Sequence, residues 1–169
     1  MDSITDKMSK LDTSSHCPNT FYESFNKLVK FVKYLRNYQI YNAELECTKA
    51  LAGPFSTGGL LIVLLEPLQN HPWEKGVDAV ISTCRTLSCL KEGLQIGSDG
   101  VLSLVDHVSL VDQRALMSKE QNVEISAYQR ERLYDFVVEA IDAKKPDVVL
   151  CMGNVCHVPL SCNNLTHTF

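Results

Sequence analysis

Three short polar clusters follow apolar segments of the sequence and carry the groups that could do chemistry. They are Glu66 with Pro67, Asp106 with His107, and Gly153 with Asn154, shortly before His157. Carboxylate and imidazole groups transfer protons and stabilise developing charge. Each cluster stands where a strand is predicted to end, and the carboxyl ends of parallel strands meet at one edge of a sheet. We therefore predict that Glu66, Asp106 and His157 converge on one site.

The elements that must position these residues alternate between strands and helices. Short apolar runs predict strands at residues 60–65, 101–105 and 148–152. Apolar residues at helical spacing predict helices at residues 21–38, at 42–51, around 77–87 and after the capping sequence of residues 126–129. Strands that alternate with helices need crossover connections. The sequence therefore predicts a three-layer α/β/α fold with a mainly parallel central sheet.

Length and composition predict one domain in this chain of 169 residues. Residues 1–18 are polar and lack apolar periodicity, so we predict a flexible tail there and a single α/β domain over residues 19–169. Residues 1–15 are too polar for a signal peptide, and the longest apolar run is too short to span a membrane. Without a secretory signal, the seven cysteines are expected to be free thiols. We expect an intracellular protein, cytoplasmic or nuclear, with no membrane partner.

The charge pattern bears on nucleic-acid binding. A net charge of −4 gives no overall attraction to phosphate. The first predicted helix is a local exception, because basic residues recur there at every third position: Lys27, Lys30, Lys33 and Arg36. Such a ridge could follow a phosphate backbone, or it could be an ordinary solvated helix face.

The last part of the sequence is rich in side chains that can bind zinc. These are Cys151, Cys156, His157, Cys162 and His167. They include no Cys-x-x-Cys pair, and their spacing does not match short zinc-binding patterns. We therefore predict neither a metal site nor a cofactor.

The order of the predicted strands and their local sequences resemble those of the uracil-DNA glycosylase superfamily over residues 60–153. Residues 61–67 resemble its first strand and motif loop, residues 100–106 its second strand, and residues 145–153 its third strand. In that family the first motif loop positions an attacking water, and the second strand supplies a polar side chain that reads the base. The resemblance implies a reaction in which a flipped base is cleaved from its sugar.

This resemblance implies three catalytic roles. Glu66 would orient the water and Asp106 would read the base edge. His107 or His157 would stabilise the departing base anion. The alternative is that Glu66 is a solvated strand end, Asp106 caps a turn, and both histidines are ordinary loop residues.

Substrate binding would involve further residues beside these groups. Pro67, His107 and Asn154 belong to the same strand-end clusters. Trp73 is the only tryptophan and follows the first strand closely, so it would offer a flat stacking surface. The alternative is that Trp73 is a partly buried packing residue.

Two functions follow from these observations. The first is a glycosylase-like protein, degenerate in its motifs, that binds DNA or a nucleobase. Leu64 and Leu65 replace the glycine of the family's first motif, and only 16 residues follow Gly153, too few for the family's last helix, strand and His-Pro-Ser loop. The second function is therefore a non-catalytic interaction module. It would bind a protein partner, or a second copy, through a sheet edge left exposed by the missing strand.

Overall fold

The computed structural model describes residues 20–37, 40–67 and 70–152. Its helices are α1 (Phe21–Leu35), α2 (Asn42–Ala52), α3 (Val77–Thr83), α4 (Arg85–Gly97), α5 (Leu104–His107), α6 (Lys119–Glu124) and α7 (Ala127–Lys144), with a short 3-10 helix at Trp73–Lys75. Its strands are β1 (Leu60–Leu64), β2 (Val108–Asp112) and β3 (Val148–Cys151). The tail predicted for residues 1–18 lies outside the described residues.

The three strands form one parallel sheet in the order β2-β1-β3. The first strand is central, and Leu60 pairs with Val108 on one side and with Val148 on the other. The Met152 amide donates to the Val63 carbonyl (3.0 Å), which extends the pairing of β3 by one residue. The predictions for the first and third strands are therefore confirmed.

The second strand differs from the prediction. Residues 101–103 are irregular and Leu104–His107 form a single helical turn. Ser103 stabilises this turn, because its hydroxyl accepts from the Asp106 amide (3.4 Å) and its own amide donates to His107 Nδ1 (3.0 Å). The strand begins only at Val108, so the prediction of a strand at residues 101–105 is wrong.

The helices begin where their capping residues indicate. Thr20 Oγ1 accepts from the Glu23 amide (3.2 Å) at the start of α1, which ends at Leu35, earlier than the predicted residue 38. At the start of α7, Ser126 and Gln129 form a reciprocal capping box. The helical pattern of residues 77–87 is divided into α3 and α4, because the backbone of Cys84 is extended.

Helices cover both faces of the sheet. Successive side chains of β1 point to opposite faces of the sheet. Leu61 and Val63 pack with α1 and α7, whereas Ile62 packs with residues of α2, α3 and α4. Strands buried on both faces read as continuous apolar runs, as they do in this sequence. The three-layer α/β/α architecture with a parallel sheet is therefore confirmed.

The two outer strands of the sheet have different neighbours. Helix α2 lies beside β2 and contributes Leu45 to one core and Leu51 to the other. The Ser109 hydroxyl of β2 donates to the Pro54 carbonyl just after this helix (3.0 Å). On the opposite side, no described strand pairs with the outer side of β3, and Val148 is 45% exposed.

The loop that leads into β1 is fixed at the amino edge of the sheet. The buried Lys144 ammonium donates to the carbonyls of Pro54 (2.8 Å) and Ser56 (2.5 Å). The Gly59 amide donates to Asp147 Oδ2 (2.7 Å). These polar groups satisfy one another, so this edge is held by internal hydrogen bonds. Within the described ranges, no helix is long and apolar enough to cross a membrane.

Candidate ligand site at the carboxyl edge of the sheet

Two acidic residues meet at the carboxyl edge of the sheet. Glu66 follows β1 by two residues, and Asp112 is the last residue of β2. The strands are in register there, because Leu64 pairs with Asp112. Asp112 follows Leu110 by two residues in β2, and side chains two apart in a strand point to the same face of the sheet. The Asp112 side chain therefore lies on the face that packs against α2, α3 and α4. The carboxyl edge therefore carries a pair of acids.

Asp106 and His107 lie at the other edge. They precede Val108, which pairs with Leu60, the first residue of β1. The length of β2 separates them from Asp112 by about 13 Å at ~3.3 Å per residue. Both side chains are exposed, and His107 Nδ1 accepts from the Ser103 amide in the turn. The predicted convergence of Glu66 with Asp106 is therefore wrong, because the strand that was expected before Asp106 begins after it.

A cavity of about 170 Å³ opens between the two acids and the helices. Its lining is mainly apolar. The lining residues used below are Thr48, Glu66, Pro67, His71, Trp73, Cys84 and Asp112. The structure thus brings together three residues singled out from the sequence, Glu66, Pro67 and Trp73, and adds Asp112 to them.

Glu66 is held in place by an ion pair. Its Oε2 lies 2.6 Å from Arg114 NH1, with 18% of the Glu66 side chain and 38% of the Arg114 side chain exposed. The backbone positions both residues, since the Gln113 amide donates to the Leu64 carbonyl (2.8 Å) and the Arg114 amide donates to the Leu65 carbonyl (2.9 Å). The Glu66 carboxylate is therefore oriented by the protein rather than by solvent alone.

The pKa of Asp112 is strongly raised at this edge. Burial, together with the negative charge of Glu66, raises the pKa of Asp112 from 3.8 to about 7. Asp112 is partly buried and lines the cavity. Near neutral pH this carboxyl is therefore present in both the acidic and the ionised form, which is the condition for exchanging a proton with a ligand.

Aromatic rings form one wall of the cavity. His71 and Trp73 meet edge to face, with 4.8 Å between ring centroids and 77° between planes. The Cys47 thiol donates to the Trp73 carbonyl (3.6 Å), which ties the 3-10 helix to α2. Burial lowers the pKa of His71, so this imidazole is neutral at pH 7. His71 and Trp73 therefore place aromatic side chains in the same lining as the two acids.

The basic ridge predicted on α1 is shorter than expected. Lys27 and Lys30 are exposed and Lys33 is half-buried. Arg36 is buried instead: its NH1 lies 2.6 Å from Glu44 Oε1 and donates to the Leu116 carbonyl (2.9 Å). Arg36 therefore joins α1 to α2 and to the loop after β2, and it is not available to a phosphate backbone.

A second, more open cleft of about 440 Å³ lies between the end of α1 and the helices α6 and α7. Several of its polar side chains already have structural partners. Gln121 and Gln129 accept from the amides of their own capping residues, and Arg36 is paired with Glu44. The smaller cavity combines two acids, of which Asp112 has a raised pKa, with aromatic side chains, and we therefore take it as the candidate site.

Two predicted site residues, Asn154 and His157, lie outside the described residues, as do Cys156, Cys162 and His167. In the ranges that the structure describes, no cluster of three or more His, Cys, Asp or Glu side chains is arranged to hold a metal ion.

Sequence reasoning missed Asp112 and Arg114. The apolar run of residues 108–111 ends at Asp112, so the sequence contains the signal of a buried strand followed by an acid. That signal competes with the run of residues 101–105, which ends in the same way at Asp106. Arg114 becomes recognisable only once β2 is known to lie beside β1.

Comparison of the chain with protein-family models, with curated proteins and with solved structures finds no match.

Proposed function

We propose that this chain binds a single-ring heterocycle of the nucleobase class, on a scaffold that resembles uracil-DNA glycosylases. The observation that carries the proposal is the cavity that joins Asp112, Glu66 and Trp73. An apolar cavity of about 150 Å³ admits one benzene molecule, so a volume of about 170 Å³ suits one six-membered ring. A ring with polar edges would place its face near Trp73 and its edge near Asp112.

The resemblance to glycosylases supports the same reading. In that family a polar side chain of the second strand reads the base, and the second strand of this chain ends at Asp112. Two ion pairs argue against catalytic use of the site. Glu66 is already paired with Arg114, and Arg36 is withdrawn from the basic ridge that DNA would need. The proposal is therefore a degenerate, non-catalytic nucleobase-binding protein.

The single tryptophan provides a direct measurement. Titration of the protein with uracil should change Trp73 fluorescence in a saturable way, and calorimetry should give the same affinity. Hypoxanthine is the matched ligand, because it offers a similar edge on a two-ring base and should bind at least tenfold more weakly. Absence of saturable binding of uracil, cytosine and thymine by either method would overturn the proposal.

Two variants locate the binding and one assay tests for catalysis. Trp73→Phe should retain calorimetric binding, whereas Trp73→Ala should weaken it. Asp106→Ala, at the opposite edge, should bind as the parent protein does. Incubation with uracil-containing single- and double-stranded DNA should release no base, and release of free uracil would overturn the non-catalytic part of the proposal.

A second candidate function is self-association through β3. Its support is that no described strand covers the outer side of β3 and that Val148 is exposed there. Exposed strand edges pair with other strands unless charged side chains prevent it. Light scattering should then show a dimer that Val148→Lys dissociates, and a monomer at all concentrations would exclude this function.

A further inference from the structure

We infer that Asp112 reads its ligand as a neutral carboxylic acid, donating one hydrogen bond and accepting another. The site would then select ring edges that pair a donor with an acceptor. This inference rests on the proposed nucleobase-binding function and names the group that determines its specificity.

The position of Asp112 makes it the reading group. It ends β2 with its side chain on the face that lines the cavity, beside Glu66 from the loop after β1. Trp73 lies in the same lining, so a ring that contacts the indole brings its edge toward the acid. Thr48, from α2, contributes only a neutral hydroxyl.

The charged and titratable groups around Asp112 determine its protonation. Glu66 adds a negative charge and Arg114 partly offsets it through the 2.6 Å ion pair. His71, from the loop after β1, is neutral at pH 7 because burial lowers its pKa. Cys84, between α3 and α4, completes the titratable groups in the lining. Burial and the Glu66 charge together raise the pKa of Asp112 to about 7.

The two protonation states recognise different edges. An ionised carboxyl only accepts hydrogen bonds, whereas a neutral carboxyl has one donor and one acceptor. The imide edge of uracil or thymine places N–H beside C=O, and the amidine edge of cytosine places NH₂ beside a ring nitrogen. Both edges match the neutral acid, but each places an acceptor against an oxygen of the ionised form. An unmatched buried polar group weakens binding strongly.

This inference predicts a loss of affinity as the pH rises. With a pKa of about 7, the neutral fraction of Asp112 falls from roughly 90% at pH 6 to roughly 9% at pH 8, so the dissociation constant of uracil should rise about tenfold. Uracil itself keeps its N–H over this range. Calorimetry at pH 6, 7 and 8 measures the change.

Asp112→Asn is the decisive variant, because an amide has one donor and one acceptor at every pH. It should bind uracil with an affinity that does not change between pH 6 and 8. Asp106→Asn is the matched control and should keep the parental pH profile.

The possible outcomes separate this inference from the proposed function. Binding of uracil by the parent protein that is equal at pH 6 and 8 would overturn the neutral-acid reading and leave the binding function standing. A pH slope that persists in Asp112→Asn would also overturn it. Failure of both folded proteins to bind any pyrimidine would overturn the proposed function itself.

Discussion

Replacement of Asp112 by asparagine should stabilise the fold at neutral and alkaline pH, although it removes a residue of the candidate site. Burial and the Glu66 charge raise the pKa of Asp112 from 3.8 to about 7, so the folded protein binds this proton more tightly than the unfolded chain does. Well below pH 3.8 the acid is neutral in both states and contributes no penalty. Between pH 4 and 7 the unfolded chain ionises while the folded protein does not, so the stability of the parent protein falls as the pH rises.

The size of the effect follows from the difference in pKa. A change from 3.8 to about 7 corresponds to roughly 4 kcal/mol at about 1.36 kcal/mol for each tenfold change in proton affinity. This is an upper limit, because side chains and water rearrange around a charge. Asp112→Asn avoids the penalty, so its advantage over the parent should grow from about zero at pH 4 to a plateau above pH 7 that does not exceed this limit.

Urea unfolding followed by circular dichroism at pH 4, 6 and 8 gives the free energies of unfolding for this comparison. Asp106→Asn is the matched control, because it removes an exposed acid and should stay within about 0.5 kcal/mol of the parent at each pH. Glu66→Gln should reduce the advantage of the asparagine variant, since it removes the neighbouring negative charge. An Asp112→Asn protein that is equally stable at every pH, or less stable than the parent at pH 8, would refute the reasoning.

Two other changes test the framework of the site. Arg36→Met leaves the Glu44 carboxylate buried without its partner at 2.6 Å. The free energy of unfolding, measured with urea, should therefore fall by about 3–5 kcal/mol. Restoration of stability by Glu44→Leu in the same chain would confirm that the unpaired charge is the cause. Gly58→Ala should destabilise the protein by about 1–2 kcal/mol, because its φ is +82° and a Cβ would lie 3.2 Å from the Asp147 carboxylate. Gly93→Ala, in open space within α4, should instead stabilise it by about 1 kcal/mol, and equal effects of the two alanines would contradict this account.

The sequence predicts most of the fold because a strand that is buried on both faces of a sheet is a continuous run of apolar residues, which is easy to recognise. The first and third strands are continuous apolar runs, and the helices start at Thr20 and Ser126, whose side chains cap them. The second strand is ambiguous, because two apolar runs stand on either side of Asp106 and His107. The hydrogen bonds of Ser103 convert the first run into a helical turn. Periodicity alone does not reveal this local competition.

The site was predicted less well because it depends on which residues are neighbours in space. The second strand lies later in the sequence than predicted. The acid at its carboxyl end is therefore Asp112 and not Asp106. In the sequence Arg36 belongs to a basic helix face, but in the structure its side chain is buried in an ion pair with Glu44 on the next helix. The pairing of Arg114 with Glu66 likewise requires that β2 lie beside β1. These contacts join distant parts of the chain, and the spacing of residues within one element does not encode them.

The position of α2 limits how copies of this protein could assemble. Since α2 lies beside β2, a new strand would more readily join the described sheet at the β3 flank, where no described strand pairs. Two molecules joined there by a two-fold axis would form one six-stranded sheet with a helix at each end. Such a pair would have α2 beside each outer strand, and its two-fold symmetry favours a closed dimer over an open fibre.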